Sequence, residues 1–291
     1  MKNVVIGSRG SDLALWQANH VRVQLERLGH TVEIKIIKTQ GDMIQHLSFD
    51  KMEGKGFFTK ELETELLNKS IDLAVHSHKD LETVQPAGLM VAAVSEREAP
   101  NDILVVRKEA MEDIKWAVKN GGTVGTSSAR RKSQLIANRP DVNIIDLRGN
   151  VPTRIQKLRD GQYDAILLAK AGVDRLEINL DEFHVEVLPV NEFVPAPAQG
   201  VLGLQIREDD QEMIEIMEQM NHPEIKSRID IERGVLNKMN GGCQLPLGVF
   251  VDDKSIYVGY ASESSIPSSY IQFELGTSVE TIVDHLNNNI G

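Results

Sequence analysis

Cationic and hydroxyl side chains recur in this sequence directly after short apolar runs. The motif GSRGS places Arg9 and Ser11 after the run NVVI, and the motif HSHKD places Ser77, Lys79 and Asp80 after the run IDLAV. Such groups donate hydrogen bonds to carboxylates or phosphates, so both motifs are candidate anion-binding sites. Asp80 can stabilise a developing cation and exchange protons with a substrate nitrogen, although a plain salt bridge with Lys79 or an arginine explains it equally well.

A third cluster, in the sequence TVGTSSARR, combines hydroxyl groups with two adjacent arginines at the predicted start of a helix. Its functional side chains are Thr126, Ser127, Ser128, Arg130 and Arg131. Serines at a helix start satisfy unpaired backbone N–H groups, which is a purely structural explanation. Arginines in the first turn, however, lie at the positive end of the helix dipole and cost about 0.3–1 kcal/mol there, unless an anion binds. An anion site is therefore favoured over a solvated basic turn.

The segments IIDLRGNVPTR and ILLAKAG add Arg148, Arg154 and Lys170 after two further apolar runs. Asn150 can cap a helix here and Pro152 fits its first turn, so a well-capped helix explains the first segment as well as an anion site does. In open α/β sheets, ligands bind beyond the carboxyl ends of the strands. The clusters together predict a polyanionic ligand, carrying carboxylates or phosphates, held between two α/β units.

The run DKMEGKGFFTKE carries Lys51 and Lys55 around two glycines, followed by Phe58. It lacks the spacing of a phosphate-binding loop. A mobile basic loop over the ligand is favoured, and a solvated loop is the alternative. His76 and His78 alternate at the end of one predicted strand and make a poor metal site on their own, so we expect no metal.

Composition narrows the class of protein. The chain has 43 acidic and 32 basic residues, for a formal charge of −11, and only 4% aromatic residues, which argues against a nucleic-acid partner. The single cysteine, Cys243, excludes an internal disulfide and a multi-thiolate metal site. We see no signal-peptide pattern and no apolar stretch long enough for a membrane helix, and we expect a cytoplasmic protein.

Apolar runs alternate with amphipathic helical patterns over roughly the first 210 residues, which predicts an α/β fold with parallel or mixed sheets. Linkers at 95–102 and 189–200 separate two such units and form a paired hinge. From residue 222 the pattern changes to a helix, three strands and a last amphipathic helix. The predicted domains are domain 1 (1–97 and 199–218), domain 2 (101–192) and a small α+β domain 3 (220–291). Two local expectations are a helix near 110–119 and a helix capped by Asp209.

Nine motifs, in order, make the chain resemble the hydroxymethylbilane synthase family, whose members are also called porphobilinogen deaminases. The motifs are GSRGSDLALWQ, TQGD, GKGFFTKELE, DLAVHSHKDL, GTSSARR, LRGNVPTRIQKL, YDAILLAKAGVDRL, PAPAQGVLGL and IERGVLNKMNGGCQLPLG. They run over nearly the whole chain. Their order and spacing, rather than any single motif, carry the resemblance.

The resemblance implies two periplasmic-binding-protein-like α/β domains with a paired hinge, plus a small α+β C-terminal domain. It implies a transferase of tetrapyrrole (haem) biosynthesis that condenses four porphobilinogen molecules into the linear tetrapyrrole hydroxymethylbilane and releases ammonia. It also implies a dipyrromethane cofactor, attached by a thioether to Cys243 in the loop GGCQLP. The family suggests a monomer. A non-catalytic, two-lobed anion-binding protein of the same fold is the alternative.

The resemblance further implies roles for individual residues. Asp80 matches the catalytic aspartate, which contacts the pyrrole nitrogens and stabilises cationic intermediates as ammonia leaves. The residues that match groups binding the cofactor's carboxylate side chains are Lys79, Ser128, Arg130, Arg131 and Arg154. The residues that match substrate and chain contacts are Arg9, Ser11, Ser77, Thr126, Ser127, Arg148 and Gln199. The residues that fall in the active-site loop are Lys51, Lys55 and Phe58.

Several positions depart from the family's usual pattern, although none is the proposed catalytic or attachment residue. They are Gln40, Leu81, Glu82, Ala129, Gln205 and Leu245. These departures leave the turnover rate and the geometry of the loops open.

Overall fold

The structure is a computed structural model that describes residues 1–39, 59–242 and 244–289. The predictions for Gln40, Lys51, Lys55, Phe58 and Cys243 therefore lie outside the described residues. The chain forms two compact units, which are treated separately below. Unit 1 comprises 1–98 and 200–227, and unit 2 comprises 99–199 and 228–291.

The strands and helices follow the alternation that the sequence predicts. The strands are β1 (Asn3–Ser8), β2 (Thr31–Ile36), β3 (Leu73–Ser77), β4 (Leu89–Val94), β5 (Asp102–Arg107), β6 (Thr123–Gly125), β7 (Asn143–Ile145), β8 (Ala165–Ala169), β9 (Phe183–Val187), β10 (Leu202–Arg207), β11 (Leu247–Val251), β12 (Ser255–Tyr260) and β13 (Ser269–Glu274). The helices are α1 (Asp12–Arg27), α2 (Lys60–Leu67), α3 (Ala129–Asn138), α4 (Val151–Arg159), α5 (Lys170–Arg175), α6 (Gln211–Met220), α7 (Pro223–Lys238) and α8 (Val279–Asn289). None of the described helices is long and apolar enough to cross a membrane.

Unit 1 contains a five-stranded sheet in the order β2-β1-β3-β10-β4. β1 pairs in parallel with β2 and β3, whereas β10 runs antiparallel to β3 and β4. Helices α1 and α6 contribute to one hydrophobic core with these strands, and a methionine-rich stripe of α6, which includes Met213 and Met217, is buried in it. The stripe is therefore core, because its spacing of three to four residues puts it on one helix face.

Unit 2 contains a second five-stranded sheet with the same kind of topology, in the order β7-β6-β8-β5-β9. β6 pairs in parallel with β7 and β8, and β5 runs antiparallel to β8 and β9. The antiparallel strand, β5 here and β10 in unit 1, directly follows a linker that was predicted as half of the paired hinge. The predicted α/β class is confirmed by these two mixed sheets.

The C-terminal part of unit 2 is a three-stranded antiparallel sheet, β11-β12-β13, packed with α7 and α8. This agrees with the predicted small α+β region. Since 228–291 groups with 99–199 as one compact unit, the predicted three-way division of the chain stays a prediction.

Two local expectations are wrong. In place of a helix near 110–119, the chain forms two single-turn 3-10 segments, Lys108–Ala110 and Lys115–Ala117. Trp116 and Ala117 have φ values of 61° and 56°, which an α-helix cannot contain. The cap of α6 is Asp210 rather than Asp209, because the Asp210 carboxylate accepts the hydrogen bond from Met213 N.

Candidate functional site

The first group of candidate residues lies at one edge of the unit 1 sheet. β1 and β3 are parallel neighbours, with Ile6 opposite Leu73, so their carboxyl ends meet at the same edge. The residues that follow these strands, or end them, are Arg9, Ser11, Ser77, Lys79 and Asp80. We call this set the unit 1 edge. The sheet thus brings together two clusters that are about 70 positions apart in the sequence.

Hydrogen bonds from α1 organise the unit 1 edge. The Ser11 hydroxyl caps α1 by accepting from Ala14 N at 3.4 Å. One turn further on, the buried side chain of Gln17 donates from Nε2 to Ser77 Oγ at 2.8 Å. Gln17 is a site residue that the sequence analysis missed. Its signal is a polar residue next to Ala18, on the helix face that also buries Val21.

Asp80 and Lys79 lie in a single 3-10 turn, His78–Asp80, which directly follows β3. Asp80 is exposed and Lys79 is half-buried. A carboxylate in this position can reach a ligand that lies over the sheet edge without first leaving a buried ion pair. This exposure is compatible with the proton-handling role that the resemblance implies.

His76, on the strand that precedes Asp80, is buried within the sheet. Burial and, to a smaller extent, the neighbouring cation Arg9 lower the pKa of His76 to about 4, whereas a hydrogen bond between His76 Nε2 and Gln205 Oε1 at 3.0 Å opposes the shift. The imidazole is therefore neutral near pH 7 and donates from Nε2 to the amide oxygen. Gln205, one of the departures from the family's pattern, in turn donates from Nε2 to Gln85 Oε1 at 2.8 Å.

The second group of candidate residues lies at the corresponding edge of the unit 2 sheet. β6 pairs in parallel with β7 and β8, so the segments that follow these three strands meet at one edge. The predicted residues on these segments are Thr126, Ser127, Ser128, Arg130, Arg131, Arg148, Arg154 and Lys170. We call this set the unit 2 edge.

The hydroxyl groups of the unit 2 edge hold its loops in place. Ser128 caps α3 by accepting from Arg131 N at 3.4 Å, as the sequence predicts. Thr126 Oγ1 accepts from Ser128 N at 3.3 Å. Ser127 Oγ donates to Leu147 O and accepts from Leu147 N, both at 3.0 Å. The loop after β6 is thereby joined to the loop after β7.

The two adjacent arginines of α3 are buried and share one carboxylate. Arg130 and Arg131 are 5% and 6% exposed, and Asp102, the first residue of β5, is 0% exposed. Arg130 Nη1 donates to Asp102 Oδ2 at 2.7 Å, and Arg131 donates to Asp102 Oδ1 from Nε at 3.0 Å and from Nη2 at 2.6 Å. Asp102 is the second residue that the sequence analysis missed.

Backbone carbonyls complete the arginine contacts. Arg130 Nη1 also donates to Val194 O at 2.8 Å, and Arg131 Nη1 donates to Leu167 O at 3.0 Å. Burial lowers the pKa of Arg130, and the neighbouring Arg131 acts in the same direction, whereas Asp102 raises it. Among the described residues, the ion pairs set these two cations, in a poorly hydrated position, against the one carboxylate of Asp102, so the three side chains carry a net charge of +1.

Gln199, predicted as a substrate contact, is also buried, and its amide contacts the segment that leads into β5. Its Nε2 donates to Pro100 O at 2.7 Å and to Asp102 Oδ1 at 3.2 Å. The preceding residue, Ala198, has a left-handed φ of 63°, and its N–H donates to the buried carboxylate of Glu232 at 2.7 Å. The structure thus gives Gln199 a connecting role within unit 2.

The remaining cations of the unit 2 edge are more accessible. Arg148 and Arg154 are half-buried, and Arg154 Nε donates to Gly149 O at 2.7 Å. Asn150 caps α4 by accepting from Thr153 N, as predicted. Lys170 pairs with Asp174, four residues further along α5, at 2.7 Å. These side chains form a graded set, from buried to half-exposed, that suits a ligand with several carboxylates.

These features define the class of protein. It has two mixed α/β sheets of like topology, each with hydroxyl and cationic groups at the carboxyl ends of its parallel strands, and a small antiparallel sheet at the C-terminus. The class is therefore an α/β protein with clustered cationic and hydroxyl groups at its sheet edges.

Comparison with known sequences identifies the family within this class. The family described as "Porphobilinogen deaminase, dipyromethane cofactor binding domain" matches residues 4–215. The porphobilinogen deaminase of Nitratidesulfovibrio vulgaris strain DP4 is 47% identical over 250 residues, which cover 85% of this chain and 78% of that protein. The Campylobacter concisus protein of the same name is 40% identical over 96% of this chain and 90% of its own length. The chain belongs to the porphobilinogen deaminase family.

Solved structures with much lower sequence identity also match. The periplasmic VFT2 domain of Bordetella pertussis BvgS has 14% identity and a TM-score of 0.44, over 79% of this chain and 93% of that one. A putative methionine-binding lipoprotein of Bacillus subtilis has 12% identity and a TM-score of 0.44, over 78% of this chain and 94% of that one.

Proposed function

We propose that this chain is a hydroxymethylbilane synthase, which joins four porphobilinogen molecules head to tail and releases one ammonia for each. In each cycle the aminomethyl C–N bond of a substrate breaks, a C–C bond forms to the ring carbon of the growing chain, and that carbon loses its proton. The proposal is supported by membership of the porphobilinogen deaminase family and by the chemistry of the two edges. Each added pyrrole brings two carboxylates, which cationic edges suit.

The observation that carries the proposal is the buried arginine pair of the unit 2 edge. Two guanidinium groups against the single carboxylate of Asp102 leave a positive charge in a poorly hydrated place, and a ligand carboxylate would compensate it. This fits a dipyrromethane cofactor, whose side chains are carboxylates. The residues that we propose to hold it are Lys79, Ser128, Arg130, Arg131 and Arg154, with a thioether to Cys243. When bound, dipyrromethane supplies the pyrrole carbon to which the first substrate is joined.

We assign the catalytic role to Asp80. Its exposed carboxylate can accept a hydrogen bond from the pyrrole N–H of a substrate at the unit 1 edge. As the C–N bond breaks, positive charge spreads over the pyrrole ring, and the Asp80 carboxylate stabilises it. The residues that we propose to bind the carboxylates of substrate and product are Arg9, Ser11, Ser77, Thr126, Ser127, Arg148 and Gln199. We propose that Lys51, Lys55 and Phe58 belong to a loop that covers the reacting groups.

The proposed function is tested by the intact mass of the purified protein and by its reaction with Ehrlich's reagent. We expect a mass increase equal to one dipyrromethane, a pyrrole colour, and consumption of porphobilinogen with release of ammonia. Changing Cys243 to Ala should abolish the adduct and the colour. An unmodified wild-type chain that binds porphobilinogen without consuming it would instead support a non-catalytic anion-binding protein.

We further propose that the protein acts as a cytoplasmic monomer without a nucleic-acid partner. The net charge of −11 argues against a nucleic-acid partner, because binding nucleic acid requires cations that neutralise phosphates. A single cysteine cannot form a disulfide within the chain, which suits the reducing cytoplasm. Light scattering on the purified protein would contradict the monomer if it gave a mass well above 32.4 kDa.

A further inference from the structure

Asp102 occupies an unusual place for a carboxylate. It begins β5, and since β5 is antiparallel to β8 with Asp102 opposite Ala169, its side chain belongs to the edge where β8 ends. This is the same edge that carries the cations of the unit 2 edge. An acidic group here would repel a ligand carboxylate that came into contact with it, so its burial beneath the arginines requires an explanation.

The contacts of Asp102 fix both guanidinium groups. Its Oδ1 accepts from Nε and Nη2 of Arg131, and its Oδ2 accepts from Nη1 of Arg130. Arg131 Nη1, on the other side of its guanidinium, donates to Leu167 O, and Arg130 Nη1 donates to Val194 O as well as to Asp102. The orientation of each guanidinium is therefore set within the protein. A ligand that binds to them does not have to order two long side chains, each of which would cost about 0.5–1.5 kcal/mol.

Asp102 also sets the charge that these arginines present. The three side chains together carry one uncompensated positive charge in a buried setting. Without Asp102 there would be two such charges, which is costly to bury and would match two ligand carboxylates rather than one. The Asp102 carboxylate thus offsets one of the two arginine charges, and one ligand carboxylate would offset the other.

Resting on the function proposed above, we propose that Asp102 is a positioning residue, which orients Arg130 and Arg131 and offsets one of their two positive charges, so that the pair is a receptor for one carboxylate of the dipyrromethane or of the growing chain. The offset charge is the larger of the two contributions. Asp102 touches the arginines rather than the ligand, and it also accepts a hydrogen bond from Gln199 Nε2 at 3.2 Å.

The test compares the wild type with Asp102→Asn, Arg131→Gln and the double variant. Three quantities are measured for each: the fraction of chains with the adduct, by intact mass; kcat and KM for porphobilinogen; and the melting temperature. We expect each single variant to lose roughly tenfold to hundredfold in kcat/KM and to show a smaller adduct fraction. In each of them the remaining arginine side chains are less well oriented, and the net charge of the group differs by one from that of the wild type. The double variant has the same uncompensated charge as the wild type. It should therefore exceed Arg131→Gln in both adduct fraction and kcat/KM.

A purely structural role for Asp102 predicts the opposite order, with the double variant at or below Arg131→Gln. The proposal would be overturned if the double variant did not exceed Arg131→Gln in adduct fraction and kcat/KM, or if it had a lower melting temperature than Arg131→Gln. The reason is that the double variant has the net charge of the wild type, on which the proposal depends. If Asp102→Asn does not fold, the comparison of Arg131→Gln with the double variant still decides. The matched control is Asp141→Asn, which removes the carboxylate partner of Arg139 in the same unit, at 2.5 Å, and should lower stability without changing KM or the adduct.

The wild type separates this inference from the proposed function. If the wild type carries no adduct and consumes no porphobilinogen, the proposed function fails and the inference fails with it. If the wild type is active and Asp102→Asn equals it in adduct fraction and kcat/KM, only the inference fails.

Discussion

The unit 1 and unit 2 edges are built on sheets of like topology, yet they keep their carboxylates in different places. In unit 1, Asp80 is exposed in a turn after β3, and that strand contains a buried, neutral histidine, His76. In unit 2, Asp102 is buried at the start of β5 and is committed to Arg130 and Arg131.

The difference separates two tasks. Within the described residues, no salt bridge holds the exposed carboxylate of Asp80, so it is available to a ligand nitrogen, whereas the buried carboxylate of Asp102 is committed to two guanidinium groups. Both carboxylates lie at a sheet edge, Asp80 after a parallel strand and Asp102 at the start of an antiparallel one, and their exposure and partners decide which one can do chemistry. The following predictions test this contrast, beginning with the largest effect.

The first prediction concerns turnover. Asp80→Asn should keep the adduct but lower kcat by roughly 10²–10⁴-fold, since the amide neither carries the charge that stabilises a cation nor accepts a proton. Porphobilinogen consumption and intact mass measure the two outcomes. The control is Glu82→Gln, which neutralises a carboxylate two positions away and should change kcat far less. Full activity in Asp80→Asn would refute the catalytic assignment.

The second prediction concerns stability at the two edges. Asp102→Asn should lower the free energy of unfolding by about 3–5 kcal/mol, because it leaves two buried guanidinium groups without their carboxylate. Asp80→Asn, at an exposed position, should change it by less than about 0.5 kcal/mol. Urea denaturation of both variants measures the difference. Equal losses would mean that the contrast between the edges is wrong.

The third prediction concerns pH. The folded-state pKa of His76 is about 4, below the ordinary value of 6.5, so the unfolded chain binds a proton at a higher pH than the folded protein does. Stability should therefore fall as the pH drops from 6.5 to about 4, by about 3 kcal/mol for this group. Replacing His76 with Gln should remove that part of the pH dependence. Urea denaturation at pH 7 and pH 4.5 measures it, and His30→Gln is the control; identical pH dependence in wild type and His76→Gln would count against a buried neutral imidazole.

The fourth prediction concerns the helix caps, where the two edges are alike. Ser11 and Ser128 each accept a backbone hydrogen bond of 3.4 Å at the start of a helix. Each Ser→Ala change should cost no more than about 1 kcal/mol in the free energy of unfolding, and the two costs should be similar. Ser→Asn at either position keeps the cap and serves as the control. A cost several times larger at one position would reveal a structural role beyond capping.

Much of the fold was predictable because local rules produce it. Ser128 and Asn150 cap helices as predicted, and the buried stripe of α6 follows helical spacing. The helix expected near 110–119 is wrong, because a left-handed backbone at Trp116 interrupts it and no residue in that segment signals the interruption. The one-residue error at Asp209 arises because two adjacent aspartates are equally good caps by type.

The candidate site was predicted less completely. The cations at the two edges were found because each follows an apolar run, and the anion site at the first turn of α3 stays a prediction. The protein itself supplies one anion there, since Asp102 binds both arginines. Asp102 lies 28 positions before Arg130, and Gln17 lies 60 positions before Ser77, so neither partnership has a local signal.

By itself, the sequence determined the order of strands and helices, the helix starts, the cationic character of the residues after the strands, and the family to which the chain belongs. These depend on neighbours in the chain: hydrophobic periodicity, caps and motif order. Only the tertiary structure decided which carboxylate is exposed and which is buried, and which polar groups share a hydrogen bond. Those outcomes depend on the order and direction of the strands. Because β5 runs antiparallel to β8, its first residue, Asp102, lies beside the last residue of β8, Ala169. Burial then determines the role of each charged group. A buried charge is stable only when it is paired with an opposite charge, whereas an exposed charge is solvated by water and can interact with a ligand.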